Sequence, residues 1–345
     1  MKGKMTKKQA VPFLVFGVVF ALIPLATTSQ YIMSLCVMGF LFAFWSIAWD
    51  IIGGYTGQMA LGNGVYIGVG AFLTGALFKY NGISPWIGMI IAGVMCGLLA
   101  AALCFPIFKL RGTYFAISTT ALLHIIRMLW NENRYILGWD MGGSTGLKLP
   151  WKGTFLDMQF LDKSGYYYVT FILLFALLLF IHFFERSKTG FYFQAIRSNQ
   201  DAAASMGVNV RMYKVLSQFI SVFLLAVGGG VYAMYMQFVD PNRALSYDMT
   251  LQVVLYAVIG GRATVWGPFI GAIVLYPINE LIRATWGSTL AGVSTLFYGV
   301  ALMLVIYFLP GGVVVYVQKF CNKAWNKLFG KKAKDSAVAA KGGKD

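Results

Sequence analysis

Histidine, cysteine and acidic residues are scarce in this 345-residue chain, which contains two histidines, four cysteines and 12 aspartates and glutamates. The histidines, His124 and His182, lie far apart in the sequence, so a histidine-based metal centre or catalytic cluster is not expected. The cysteines show neither metal-ligand spacing nor a disulfide framework. We therefore predict neither a catalytic site nor a metal site.

Motifs for nucleotide binding and hydrolysis are also missing. The chain has no G-x-x-x-x-G-K-[ST] loop to bind ATP phosphates, no H-E-x-x-H pair and no nucleophile elbow. We expect this chain to bind no cofactor of its own and not to be an enzyme. If it takes part in ATP-driven work, the ATPase must be a separate polypeptide.

Apolar residues are abundant: 59% of the chain is hydrophobic, only 12% is charged, and the mean hydropathy is +0.70. This composition is typical of a polytopic membrane protein. Apolar runs near the roughly 20 residues needed to cross a bilayer recur along the chain. They are residues 11–28, 31–50, 64–80, 85–107, 114–130, 166–184, 215–238, 247–261, 266–284 and 290–310. Several are short or interrupted by glycine, so we predict an all-α transmembrane helical bundle of about eight to ten spans.

The net charge of +16 follows from the expected topology. With the N-terminus inside, most of the 28 lysines and arginines fall in cytoplasmic segments, which places both termini in the cytoplasm. The basic residues then contact anionic lipid headgroups, and a nucleic-acid partner is not expected. The predicted parts are a basic cytoplasmic N-terminus (1–10), a transmembrane domain (11–312) with an extracytoplasmic loop at about 131–165 and a cytoplasmic loop at 185–214, and a basic, partly disordered cytoplasmic tail (313–345).

The cytoplasmic loop 185–214 is a polar island with the pattern of a short capped helix. Ser198 or Asn199 can cap its N-terminus, Asp201 lies in the first turn, and Gly207 can adopt the left-handed conformation after the last turn. A helix this short is not stable in isolation and needs a partner surface. The pattern predicts a docking element on the cytoplasmic face of a transporter.

Glycine is the second strong signal, with 39 residues. Small residues let membrane helices approach closely, and this role is expected for most of the paired glycines. The sharper hypothesis is that GGYTGQMALGNG (53–64) is a broken or re-entrant element lining a polar path, because non-helical backbone at membrane depth must be buried in protein or face a cavity. The glycines given a structural role are Gly53, Gly54, Gly57, Gly260, Gly261, Gly267 and Gly271.

Polar side chains within the apolar runs supply the candidates for a translocation path. These candidates are Gln58, Asn63, Ser118, Thr119 and His124. For hydroxyls in a membrane helix, a bond back to the helix backbone is the more usual role. Glu280 and Arg283, three residues apart, are expected to form an ion pair rather than to contact substrate.

Six segments together resemble the branched-chain amino acid ABC transporter permeases, specifically the M-type subunit, over residues 30–312. They are WDIIGGYTGQMALGNGVYIGVGAF (49–72), LRGTYFAISTTALLHIIR (110–127), GGSTGL (142–147), SKTGFYFQAIRSNQDAAASMGVNVRMYKV (187–215), the stretch around Asp240 and Pro241, and VIGGRATVWGPFIGA (258–272). Their joint occurrence in this order is highly specific, whereas one motif alone is weak.

This resemblance implies a subunit of the bacterial cytoplasmic (inner) membrane that imports leucine, isoleucine or valine. It implies a homologous second permease as heterodimer partner, two cytoplasmic ATPases that bind ATP and Mg, and an extracytoplasmic solute-binding protein. It also implies that residues 198–208 are the coupling helix seated in the ATPase. The residues that match the family there are Arg197, Asn199, Asp201, Ala203, Ala204 and Gly207.

The cargo and the energy source have alternatives. The chain departs from the family pattern at Gln58 to Ala60 and at Asn63, and permeases for urea or short-chain amides belong to the same wider family. An ion-coupled secondary transporter is the alternative from another class. Such a carrier is expected to have ionisable groups at midspan, whereas here they lie mainly at the ends of the runs.

Overall fold

A computed structural model describes residues 29–136 and 138–286, together with 13, 17, 20–24, 299, 300 and 303. Within these residues the chain is almost entirely helical. The helices are α1 (Gln30–Asp50), α2 (Val65–Asn81), α3 (Pro85–Ile107), α4 (Thr113–Glu132), α5 (Lys163–Phe184), α6 (Lys188–Ser198), α7 (Gln200–Ser205), α8 (Val210–Met236), α9 (Pro241–Ala244), α10 (Tyr247–Gly260) and α11 (Gly267–Trp286). A π-helical turn, Ile51–Tyr55, continues α1.

The all-α membrane class is confirmed. Eight of the predicted apolar runs coincide with helices α1 to α5, α8, α10 and α11. Four helices are long and apolar enough, by length and composition, to cross a membrane: Gln30–Tyr55, Pro85–Ile107, Lys163–Phe184 and Val210–Met236. Most of the predicted runs 11–28 and 290–310, and all of the terminal segments 1–10 and 313–345, lie outside the described residues.

Helix α8 packs against both α2 and α3 through small residues. A Cβ atom added at Gly229 would lie 2.1 Å from the carbonyl oxygen of Ile67, and one added at Gly70 would lie 2.5 Å from that of Ala226. The backbones of α2 and α8 therefore touch, a contact that only glycine permits at these positions. On its α3 side, the aromatic rings of Phe219 and Phe223 cover α3 glycines.

The predicted structural glycines near the end of the chain lie where α10 meets α11. A Cβ atom at Gly271 would lie 2.0 Å from the carbonyl oxygen of Tyr256, and one at Gly260 would lie 1.9 Å from that of Gly267. Gly261 follows α10 with a φ of 124°. These glycines allow α11 to fold back along α10.

Loops gather at two opposite ends of the bundle. We call them the helical-loop end, formed by residues 108–112, 185–209 and 261–266, and the strand-loop end, formed by 82–84, 133–162 and 237–246. At the strand-loop end, β1 (Tyr135–Ile136) pairs with β2 (Trp139–Asp140), and β3 (Leu147–Lys148) pairs with β4 (Phe238–Val239), both antiparallel. The second pair fixes the long loop to the end of α8. This loop is shorter than the predicted 131–165, because α4 continues to Glu132 and α5 begins at Lys163.

Candidate coupling and transport sites

The 185–209 segment, which we call the helical loop, contains two helices, α6 and α7, separated by Asn199. The Asn199 side chain accepts hydrogen bonds from the backbone N–H groups of Asp201 at 2.9 Å and Ala202 at 3.1 Å, so Asn199 is the N-cap. Ser198, the other candidate cap, is instead the last residue of α6, and its hydroxyl donates to the carbonyl of Gln194. Helix α7 is therefore shorter than the predicted 198–208, and α6 was not predicted at all.

Helix α7 presents one face to the outside. Ala203 is buried beneath it, whereas Ala202 and Ala204 are exposed. Met206, which directly follows α7, is 87% exposed. Gly207 comes next, with a φ of 84° and open space around it. Small side chains beside an exposed, flexible methionine form a surface that another protein can cover closely.

Two polar contacts also hold α7 to the bundle. Asp201 accepts two hydrogen bonds from the Arg111 guanidinium, at 2.8 and 3.0 Å, and this pairing holds the pKa of Asp201 below its usual value. Gln200 accepts a hydrogen bond of 2.8 Å from Lys214 Nζ. Helix α7 is thus bonded to the loop before α4 and to the start of α8. A displacement of α7 therefore acts on that loop and on α8.

Helix α6 contacts the segment that follows α1. Its Phe193 ring is buried 5.4 Å from the Phe184 ring, and a Cβ atom at Gly57 would lie 3.2 Å from Arg197 Cγ. Just before α6, Glu185 accepts a hydrogen bond of 3.4 Å from the Tyr55 hydroxyl, and burial raises the pKa of its carboxyl group. The helical loop therefore touches the segment between α1 and α2.

The segment between α1 and α2 is non-helical and buried, which agrees with the predicted break within residues 53–64. The π-helical turn precedes it, and such turns are frequent at functional sites. Trp49 Nε1 donates to the carbonyl of Ala60 at 2.8 Å. Asn63 and Gln218, both buried, exchange hydrogen bonds of 3.0 and 2.9 Å. The break is thus held by bonds within the protein.

The predicted path residues lie in different surroundings within the bundle. Gln58 is buried and donates to the carbonyl of Thr56 at 3.4 Å, while Asn63 is bonded to Gln218. Thr119 donates back to the carbonyl of Ala116 at 2.9 Å, as expected for a hydroxyl in a membrane helix. On the same helix as Thr119, Ser118 is half-buried and His124 is exposed.

Two acidic residues have clear structural roles. Asp50, buried at the end of α1, accepts a hydrogen bond of 2.8 Å from the backbone N–H of Ala263 and so ties this end of α1 to the loop before α11. Glu280 and Arg283 form the predicted ion pair, with 3.4 Å between Oε1 and Nη1. In the described part of the chain, no three His, Cys, Asp or Glu side chains are close enough together to hold a metal ion.

A cavity of about 750 Å³ opens at the strand-loop end, between α1, α5, α8, α10 and α11. Five tyrosines line it, together with apolar side chains such as Met38 and Phe42. Charged groups of both signs are also present. The tyrosines are Tyr31, Tyr166, Tyr232, Tyr235 and Tyr276, and the charged residues are Lys163, Arg243, Asp248, Glu280 and Arg283.

Residues 31–309 match the family described as branched-chain amino acid transport system / permease component. The chain belongs to this permease family. It is therefore the permease of an ABC transporter, a transport subunit, and a multi-pass protein of the inner membrane. No solved structure matches the chain.

Three relatives show the range of substrates named among similar permeases. The high-affinity branched-chain amino acid transport system permease protein LivM of Escherichia coli is 26% identical over 332 residues, covering 90% of this chain and 76% of LivM. The probable branched-chain amino acid transport permease protein LivH of Methanocaldococcus jannaschii is 24% identical, covering 71% of this chain and 77% of LivH. The autoinducer 2 import system permease protein LsrC of Salmonella typhimurium is 26% identical, covering 71% and 67%.

Most of the lining of the permease's large cavity was missed by sequence reasoning. Only Glu280 and Arg283 were singled out, and then as an ion pair. The available signal was the recurrence of tyrosine near one end of several apolar runs, as at Tyr31, Tyr166 and Tyr235. Tyrosine at a helix end is common at the membrane interface, so this signal does not by itself distinguish a cavity from an aromatic belt.

Proposed function

We propose that this permease imports the branched-chain amino acids leucine, isoleucine and valine as one subunit of an ABC importer. Its partners are a homologous second permease, two ATPases that hydrolyse ATP–Mg, and an extracytoplasmic binding protein that delivers the substrate. The names of LivM and LivH, two permeases of branched-chain amino acid transport, support both the cargo and the pairing.

The observation that carries this proposal is the construction of α7. Its outer face of Ala202, Ala204 and Met206 is exposed, whereas Gln200 and Asp201 bond to Lys214 and Arg111. Helix α7 therefore carries exposed alanine and methionine side chains and is also bonded to the 108–112 loop and to α8, so a protein that moves α7 also acts on these two elements. We propose that an ATPase seats this face and that closure of the two ATPases switches the permease between inward- and outward-facing states.

The proposed orientation places the helical-loop end in the cytoplasm, with both chain termini on that side. The helical-loop segments contain six lysines and arginines and the strand-loop segments contain four, the direction that the positive-inside rule favours. Those in the helical-loop segments are Lys109, Arg111, Arg186, Lys188, Arg197 and Arg262. The strand-loop end then faces the binding protein.

The large cavity at the strand-loop end is suited to receive a branched-chain amino acid. Arg243 can pair with the carboxylate of the zwitterion and Asp248 with its ammonium group, while aromatic and methionine side chains pack against its aliphatic part. Its volume lies within the usual range for small-molecule sites. We propose that the substrate passes through this cavity after its release by the binding protein.

The test is ATP hydrolysis by the reconstituted complex, comparing the native chain with Asp201→Arg and Gly207→Trp. Binding protein loaded with leucine should stimulate the native complex, and both variants should lose this stimulation. Ile172→Trp, at an exposed position in the middle of α5, is the control and should keep it. Urea and autoinducer 2 serve as competing cargoes, and stimulation by either one in place of leucine would reassign the substrate. Transport by the chain alone, driven by an ion gradient and indifferent to both substitutions, would overturn the proposal.

A further inference from the structure

A second, smaller cavity of about 240 Å³ lies at the helical-loop end, between the end of α3, the 108–112 loop, α7 and the first turn of α8. Its charged lining is entirely basic. The four cationic side chains are Lys109, Arg111, Arg211 and Lys214, and no carboxylate belongs to the lining. This basic pocket is separate from the exposed face of α7 and from the large cavity.

The positive charge of the basic pocket is only partly balanced. Arg111 pairs with Asp201, but Lys214 is 3% exposed, and no carboxylate lies within 4 Å of its ammonium group among the described residues. The Lys214 ammonium group donates one hydrogen bond to the uncharged side chain of Gln200. Lys109 likewise forms no ion pair within the described chain. Asp201 acts on Lys214 through its charge, but Asp201 is already bonded to Arg111, so the buried ammonium group is only partly neutralised and the pocket favours an anion.

The surroundings of the basic pocket are apolar and exposed. Arg211 lies over the ring of Phe105, 3.6 Å from its centroid, and donates to the Phe105 carbonyl at 3.3 Å. Phe105 itself is 49% exposed, and Leu110 and Met212 beside it are also exposed. Arg211 is therefore held with its charge at the rim of an apolar surface.

Phe105 continues a stripe of exposed apolar side chains along α3. With helical spacing, the stripe contains Ile87, Ile91, Val94, Leu98 and Phe105. Such a face on a long apolar helix is suited to contact lipid chains. The basic pocket stands at the end of this stripe, at the level where a headgroup would lie. A free phosphate could use the cations, but it would leave the apolar rim uncovered.

We propose that the basic pocket binds the phosphate headgroup of an anionic phospholipid, whose acyl chains lie along the exposed stripe of α3. The phosphate oxygens pair with Lys109, Arg211 and Lys214, and the last of these is also bonded to Gln200 of α7. The bound lipid therefore joins α3, α7 and α8 at one point. Its presence supports the position of the proposed coupling helix.

The test measures lipid binding to the full-length chain in a neutral detergent by native mass spectrometry, with equimolar phosphatidylglycerol and phosphatidylcholine. The native chain should retain phosphatidylglycerol preferentially. Lys109→Gln/Arg211→Gln should lower this preference about tenfold, since it removes two of the three cations proposed to pair with the phosphate. Both side chains are exposed, and the melting temperature checks that the variant is folded.

Two controls make the result specific. Lys148→Gln/Lys188→Gln removes the same charge elsewhere on the surface and should leave the preference unchanged, as should the charge-conserving Lys109→Arg/Arg211→Lys. Glycerol 1-phosphate, which has no acyl chains, should fail to displace the lipid. An unchanged preference in Lys109→Gln/Arg211→Gln overturns the site. Displacement by glycerol 1-phosphate at concentrations equal to the lipid overturns the lipid assignment in favour of a free phosphate.

Discussion

Asn63 and Gln218 exchange two hydrogen bonds in the interior of the bundle: Asn63 Nδ2 donates to Gln218 Oε1 at 3.0 Å, and Gln218 Nε2 donates to Asn63 Oδ1 at 2.9 Å. Both side chains are buried, so each amide is the partner that the other requires. The pair joins the break after α1 to the middle of α8. It is the most direct polar link between these two elements.

Removing either amide should destabilise the fold. Asn63→Leu and Gln218→Leu each leave a buried amide without its partner, which costs about 1–3 kcal/mol. Asn63→Leu/Gln218→Leu removes both polar groups, so its loss of stability should be smaller than the sum of the single losses. Denaturant unfolding in detergent measures this double-mutant cycle. Additive losses would show that the two side chains do not act as a pair.

The contact between Arg111 and Asp201 predicts a charge-swap rescue. Asp201→Arg should lower substrate-stimulated ATP hydrolysis about tenfold, because it places two cations side by side and frees α7 from the 108–112 loop. Arg111→Asp/Asp201→Arg restores opposite charges and should recover most of the activity. Both side chains are largely exposed, so the melting temperature should change little. Failure of the swap would mean that Asp201 acts by contacting another subunit.

Short-range chemistry explains why the cap of α7 was predictable. Asn199, Asp201 and Gly207 lie within nine residues of one another, and each has a local preference that sequence alone expresses. The break after α1 was predictable for the same reason, since clustered glycines disfavour a continuous helix. Helix α6 was missed because its stability comes from burying Phe193 and Ile196 against other elements, which its polar composition does not reveal.

Long-range pairs could not be predicted from the sequence. Asn63 lies 155 positions from Gln218, and Arg111 lies 90 positions from Asp201. Nothing in the local pattern of either residue identifies its partner. The large cavity is formed by the ends of several helices at once, and its tyrosines are distributed over the whole sequence.

The backbone contact between α10 and α11 predicts that Gly271 cannot be replaced even by alanine. A Cβ atom there would lie 2.0 Å from the Tyr256 carbonyl oxygen, so the two helices must separate. We expect Gly271→Ala to lower stability by about 1–3 kcal/mol. Gly88→Ala is the control, because its Cβ would meet its nearest neighbour at an ordinary 3.5 Å. Equal melting temperatures for the two variants would contradict the close packing.

A substitution in the lining of the large cavity should impair transport without affecting the coupling helix. If Arg243 pairs with the substrate carboxylate, Arg243→Gln should lower leucine uptake into proteoliposomes about tenfold at low leucine concentration. Basal ATP hydrolysis should not change, since Arg243 lies at the opposite end from α7. Lys148→Gln, an exposed basic residue outside the cavity lining, is the control. Equal uptake by the two variants would exclude Arg243 from the path.

The ion pair between Arg134 and Asp140 predicts a pH-dependent opening of the β1–β2 hairpin. Hydrogen bonds from the Arg134 guanidinium, and then from the Gly142 N–H, lower the pKa of Asp140 from its usual 3.8. A lowered pKa in the folded state means that the stabilisation is complete above the unfolded value and is lost as the pH falls through the folded one. The hairpin should therefore stay closed at neutral pH and open only below about pH 4.

Hydrogen–deuterium exchange of residues 135–142 measures this opening, and the variant Asp140→Asn tests whether the ion pair controls it. The amide cannot ionise, so Asp140→Asn should show at pH 7 the fast exchange that the native chain shows only in acid. Asp157→Asn changes another carboxylate of the same loop, one that lies outside the hairpin, and should leave exchange of 135–142 unchanged. Arg134 is exposed and Asp140 is half-buried at the protein surface, so the effect should remain local and the melting temperature should change little. Slow exchange in Asp140→Asn at pH 7 would show that the backbone pairing of β1 with β2 holds the hairpin without the ion pair.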